Sequence, residues 1–125
     1  MMVKAIGTDI VTIERIRAAV ERSGDDFVKR ILTPFEQQQY AVRSDSIHYL
    51  AKRFAAKEAA VKALGTGIGR GISWQHIQIE NDEHGAPVLI FTGPAVQRQA
   101  QLGSLQAHIS IADETDQAIA FVVLS

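Results

Sequence analysis

The chain has 125 residues, 46% hydrophobic and 22% charged, with a net charge of −1 and no cysteine, the composition of one globular domain spanning residues 1–125. Disulfides, thiolate metal sites and thiol catalysis are excluded, so any metal must be held by oxygen or imidazole. No run approaches the roughly 20 apolar residues that cross a bilayer, and strand-like Val3-Lys4-Ala5-Ile6 stands where a signal peptide would begin; a cytoplasmic protein with no membrane association is expected.

In chain order, Val3 to Ile10 reads as a short strand with Asp9 at its end, and Thr12 caps a helix whose buried side is Ile13, Ile16 and Val20. Ser23-Gly24-Asp25-Asp26 interrupts it, and Phe27 to Leu32 forms a second short helix. Thr33-Pro34-Phe35-Glu36 is a capping box with proline at the first helical position, opening a third helix to about Arg43. Asp45 or Ser46 caps a fourth, from about Ile47 to a stop at Gly65 and Gly67, which supply positive φ angles. After Gly71 the pattern turns to period two. Ile72, Trp74, His76 or Ile77, and Ile79 suggest an irregular strand, Asn81 to Pro87 a turn-rich connection, and Val88 to Thr92 a second strand. Gly93-Pro94 opens a helix closing at Gly103, and Ala107 to Ile111 and Ala118 to Leu124 form a final hairpin. Early helices and later, mainly antiparallel strands predict an α+β domain, with the N-terminal helices packed on the sheet.

Charge is unevenly spread. Residues 1–70 hold twelve of the thirteen Lys and Arg against eight of the fourteen acids, a net +4, and residues 71–125 hold one base and six acids, a net −5. That bias favours an anionic partner, either phosphates or an acidic protein. Nucleic acid is not implied, because only 6% of residues are aromatic and the bases are not interleaved with them.

The fourth helix carries the most informative residues. Leu50, Phe54, Val61 and Leu64 make an apolar stripe, and Glu58 lies beside it with Lys62 four residues on. Lys52, Arg53, Lys57 and Lys62 leave this helix positive. Glu58 reads either as half of a surface Glu58–Lys62 pair or as a metal ligand. Asp9 reads either as a cap or turn former or as a functional acid. Together, two carboxylates on separate elements suit a hard cation such as Mg²⁺, completed by phosphate oxygens and water, with Lys62 addressing a phosphate. The glycine run Gly65 to Gly71 follows a helix rather than preceding one, so it lacks the dipole of a phosphate loop and reads as a helix stop. His108 lies opposite Ala107, Ile109 and Ile111 by alternation; His48, His76 and His84 show no metal-ligand spacing, and Ser110 lacks a nucleophile-elbow context.

Three blocks together resemble the small bacterial 4′-phosphopantetheinyl transferases of the holo-acyl-carrier-protein synthase type. They are Gly7-Thr8-Asp9-Ile10-Val11 with Arg15-Ile16, Arg53 to Gly67, and His108-Ile109-Ser110-Ile111. The resemblance spans essentially the whole chain. It implies transfer of 4′-phosphopantetheine from coenzyme A to a serine of apo-acyl carrier protein, releasing adenosine 3′,5′-bisphosphate. It implies that Asp9 and Glu58 hold Mg²⁺ against the coenzyme A diphosphate, with Glu58 a candidate proton acceptor, and that Lys62 stabilises charge developing there. His108, Arg53 and the Gly65-Thr66-Gly67 turn correspond to the coenzyme A site. Arg15 corresponds to a basic position facing the acidic carrier protein, and Arg22, Lys29 and Arg30 extend that surface. Homotrimers with sites between subunits are also implied. The chain departs from the family at Ile111-Ala112-Asp113-Glu114, where many members read Ser-His.

Overall fold

The computed structural model describes residues 2–125. Strand β1 (Ala5–Thr12) leads into helices α1 (Ile13–Ser23), α2 (Asp25–Ile31), α3 (Pro34–Val42) and α4 (Ser46–Leu64). A single 3₁₀ turn (Trp74–His76) then precedes β2 (Ile77–Asn81), β3 (Pro87–Phe91), α5 (Pro94–Gln101), β4 (Ala107–Asp113) and β5 (Gln117–Leu124). The strands form a three-stranded antiparallel sheet ordered β1-β5-β4 and a two-stranded β2-β3 hairpin. The predicted α+β architecture is found.

Local chemistry explains most boundaries. The Thr12 hydroxyl accepts from Arg15 N at the start of α1, and the predicted capping box forms in full between Thr33 and Glu36. Gly65, at φ 77°, ends α4 as its left-handed cap, with Gly65 N donating to Lys62 O at 3.0 Å. Asp45 holds the cap position of α4, but its carboxylate is turned away to Arg43, which donates at 2.8 and 3.0 Å. The strand expected from Ile72 begins only at Ile77. Ser73 N donates to His76 Nδ1 at 2.9 Å and closes the 3₁₀ turn, while Ile72 is drawn into a tight turn with Gly69.

Helix α4 is the centre of the molecule. Leu50, Val61 and Leu64 of the predicted stripe are fully buried, but so are Ala51, Ala55, Ala56, Ala59 and Ala60, so the helix is apolar nearly all round. Its alanine face lies on the inner side of the three-stranded sheet, against the buried Ala118, Ala120, Val122 and Leu124 of β5. Small side chains let the two layers approach closely, most of all at Gly7. A Cβ there would stand 2.1 Å from Ala59 O and 2.6 Å from Ala63 N, so β1 rests directly on the α4 backbone. In α1, Ile13, Ile16 and Ala19 are buried and Val20 only partly so. Among the described residues, no helix is long and apolar enough to cross a membrane.

Candidate active site

Position on α4 decides what each polar side chain can do. At 100° per residue, three faces follow one another round the helix. Tyr49, Arg53 and Lys57 form one, Phe54, Glu58 and Lys62 a second, and Ala59 and Ala63 the third, which meets β1.

The second face meets Asp9. Lys62 Nζ donates to Asp9 Oδ1 at 2.9 Å and to Thr8 O at 3.0 Å, with the Lys62 side chain 53% exposed and that of Asp9 15%. The i,i+4 Glu58–Lys62 pair is therefore not formed: β1 brings Asp9 within reach of the ammonium, and the lysine turns to it. Glu58 is half-buried and lies close enough to Asp9 to feel its charge. Burial first, then Asp9, raises the Glu58 carboxyl pKa, opposed by Lys62 and Arg15. Two carboxylates held together, one of them poorly compensated, are a donor set for a hard cation. Among the described residues no three His, Asp or Glu side chains gather, so such an ion would take its remaining ligands from substrate and water.

The first face is different from what composition suggested. Lys57 is fully buried and Arg53 is 6% exposed, so neither adds to a positive surface. Lys57 Nζ meets Glu36 Oε1 at 2.6 Å. Arg53 stacks over Tyr49 with its guanidinium carbon 4.5 Å from the ring centroid, and its Nη2 donates to Asn81 Oδ1 at 2.9 Å. Its Nε is buried without a partner, beside a hollow of about 220 Å³ lined by Phe35, Gln39, Arg43, Tyr49 and Asn81.

Gly65 and Thr66 lie at the other end of α4, about 18 Å along the helix from Arg53 at 1.5 Å per residue. Together with Arg70, Gln97, Arg98 and Gln101 they border a groove of about 330 Å³. Arg98 was not singled out in the sequence. Its Nε donates to Leu64 O at 2.8 Å, supplying the cation that the end of α4 favours.

Arg15 crosses over Phe54 at 5.6 Å, next to Glu58, and Phe54 continues a stack of rings through Trp74 (5.2 Å) and Phe27 (6.4 Å). Arg22, Lys29 and Arg30 are exposed on the same two N-terminal helices. His108 is not brought to Glu58 and Lys62. Pairing with Val123, it shares the outward face of the sheet with Ser110 and Phe121, while Asp9 pairs with Ala120 toward α4. The sheet itself separates them. In the Ile111-Ala112-Asp113-Glu114 segment, β4 runs to Asp113, and Glu114 N donates to Gln117 O at 2.8 Å across the hairpin turn.

The sequence profile of the 4′-phosphopantetheinyl transferase superfamily matches residues 5–122. The chain belongs to that superfamily. Within it, a holo-[acyl-carrier-protein] synthase from Shewanella denitrificans is 60% identical over 124 residues, covering 99% of this chain and 98% of the relative. The crystal structure of the Neisseria meningitidis holo-[acyl-carrier-protein] synthase is 42% identical, superposes with a TM-score of 0.91, and covers 99% of both chains. The Helicobacter pylori holo-[acyl-carrier-protein] synthase, solved in complex with coenzyme A, is 34% identical with a TM-score of 0.84, covering 96% of this chain and 99% of that one.

Proposed function

We propose that the chain, acting as one domain over residues 1–125, transfers 4′-phosphopantetheine from coenzyme A to a serine of apo-acyl carrier protein. The products are holo-acyl carrier protein and adenosine 3′,5′-bisphosphate, and the reaction serves fatty acid biosynthesis. The observation that carries this reading is that Asp9, held by an exposed Lys62 at 2.9 Å, lies near enough to Glu58 to act on its charge, where β1 rests on the α4 backbone. The relatives' names support it, as does the Helicobacter pylori relative's complex with coenzyme A.

Asp9 and Glu58 would hold Mg²⁺, and the donor set fits. When bound, the ion neutralises charge on the coenzyme A diphosphate. Lys62 stands free enough to follow charge developing on the leaving bisphosphate. The Glu58 carboxylate is also the candidate acceptor for the proton of the attacking serine. One serine O–P bond forms and one diphosphate P–O bond breaks, so the protein supplies position and charge rather than a covalent intermediate. Arg53, with its unpartnered Nε, and the Gly65-Thr66-Gly67 turn lie at the two ends of a span that suits an extended ligand. Arg15, Arg22, Lys29 and Arg30 face the acidic carrier protein, and the Phe54–Trp74 rings lie behind Arg15.

His108 reaches a site only if a second copy supplies it. The outward sheet face bears Ile6 (60% exposed), Ile10 (55%), Ile119 (43%) and Phe121 (44%) together, an apolar surface that assembly would cover. A homotrimer with sites between subunits satisfies both facts, and light scattering at micromolar concentration checks it. The absence of cysteine and the coenzyme A substrate agree with a cytoplasmic enzyme.

The test of the activity is a mass measurement. Coenzyme A, Mg²⁺ and apo-carrier protein are incubated with the enzyme, and the carrier gains the mass of one phosphopantetheine arm. No gain across a panel of carriers defeats the proposal, and coenzyme A breakdown without a carrier marks a phosphohydrolase instead.

A further inference from the structure

On the face of α4 that also carries Arg53, Lys57 is fully buried and out of reach of the proposed substrate, yet its ammonium is bonded at every donor. Lys57 Nζ donates to Glu36 Oε1 at 2.6 Å, to Ile31 O at 2.6 Å and to Trp74 O at 3.2 Å, which uses all three ammonium hydrogens. Glu36, also fully buried, accepts Thr33 N on Oε1 at 2.9 Å and Ile79 N on Oε2 at 2.8 Å. One ion pair thus joins the end of α2, the start of α3, the middle of α4, the 3₁₀ turn and β2. Buried pairs of this kind seldom stabilise a fold more than apolar groups of the same size, because desolvation offsets the attraction. What such a pair does supply is orientation. An ammonium that must meet three fixed oxygens lets the helix neither roll nor slide.

The reactive face of α4 lies between two such restraints. On one side Gly7 seats β1 against Ala59 and Ala63, which registers Asp9 two residues further along the strand. On the other, Lys57 precedes Glu58 directly in the chain. A side-chain atom sits roughly 6 Å from a helix axis, so a roll of about 10° moves it by about 1 Å. Mg²⁺ asks for near-ideal geometry, and displacements of that order are felt strongly in catalysis.

We infer that Glu36 and Lys57 are positioning residues for the Asp9–Glu58 pair, their buried ion pair setting the roll of α4 and so the separation at which the two carboxylates meet a divalent cation. This rests on the proposed reading of Asp9 and Glu58 as the cation site. The test is Mn²⁺ binding followed by electron paramagnetic resonance on the folded protein with coenzyme A present, for wild type, Glu36→Gln, the neutral double variant Glu36→Gln/Lys57→Gln, and Asp9→Asn. Glu36→Gln keeps the shape of the site and gives a second reading should the double variant melt below the assay temperature. The expected result is a Mn²⁺ dissociation constant raised about tenfold or more in both Glu36 variants, an effect of the size seen when groups that orient metal ligands are lost. The Mg²⁺ concentration giving half-maximal turnover should rise in parallel. A merely structural pair would instead lower the number of competent sites and leave their dissociation constant at the wild-type value, which overturns the inference. An unchanged dissociation constant in Asp9→Asn overturns the cation site itself, and the inference with it.

Discussion

Lys57–Glu36 and Lys62–Asp9 are both lysine–carboxylate pairs made by α4, five residues apart on the helix, and they behave as opposites. Both partners of the first are fully buried, and every donor of its lysine is used. In the second the lysine is 53% exposed, and a further carboxylate, Glu58, stands nearby with its pKa raised by burial and by Asp9. Saturation turns the first pair into a fixture. Incomplete compensation leaves the second with an unmet demand for positive charge, which a divalent cation can fill.

Substitutions that exchange these behaviours test the contrast. Asp9→Asn and Glu58→Gln remove a proposed ligand from the open pair. Each is expected to lower kcat/KM by about 10³-fold, matching the several kcal/mol a metal supplies, while the circular dichroism spectrum stays native. Near wild-type turnover in either variant would defeat the assignment. Lys57→Met breaks the closed pair and strands the Glu36 carboxylate, an expected loss of about 3–5 kcal/mol in urea unfolding. Gly7→Ala attacks the other restraint on α4. Its methyl would meet Ala59 O at 2.1 Å, so β1 has to lift, with an expected loss of about 3 kcal/mol and a raised Mg²⁺ requirement.

The smallest effect concerns Glu58 in metal-free protein. Because folding raises its pKa, the folded chain binds this proton more readily than the unfolded chain does. The associated stability is present at acid pH and is lost as pH rises through the folded value. In EDTA, Glu58→Gln should therefore melt above wild type at neutral pH, with the gap closing as the pH falls below the ordinary glutamate range. Mg²⁺ with coenzyme A should reverse the order. A melting difference that ignores pH would contradict the cause given for the shift.

Features encoded by neighbours were legible in the sequence. The capping box needs only Thr33 and Glu36, and the alternation of Ala107 to Ile111 places His108 on the outer face directly. Pairings set by the fold were not. Glu58 and Lys62 have the spacing of a helical pair, and nothing local reveals that Asp9, 53 residues before Lys62, will take the lysine. Glu36 reads as a cap residue, and so it is; that its other bonds reach Lys57 and Ile79 depends on how α3, α4 and β2 pack. For the same reason Lys57 and Arg53 counted as surface charge in the sequence and lie inside the structure. The joining of Asp9 to Glu58 was anticipated from the need of a hard cation for oxygen ligands and from the family resemblance, not from any spacing.

The sheet order β1-β5-β4 also has a consequence for the order of folding. Strand β1, which carries Asp9, pairs from Ala5–Leu124 to Thr12–Gln117, and Thr8 Oγ1 bonds Ala120 O across 112 residues of sequence. Asp9, on the first strand, is thus anchored to β5, the last strand of the described residues. Closing so long a loop is slow compared with forming helical turns, so β1 and Asp9 are expected to be seated only after β5 has been made. A nascent chain halted before β5 should therefore lack a seated Asp9 for Glu58 and Lys62 to meet.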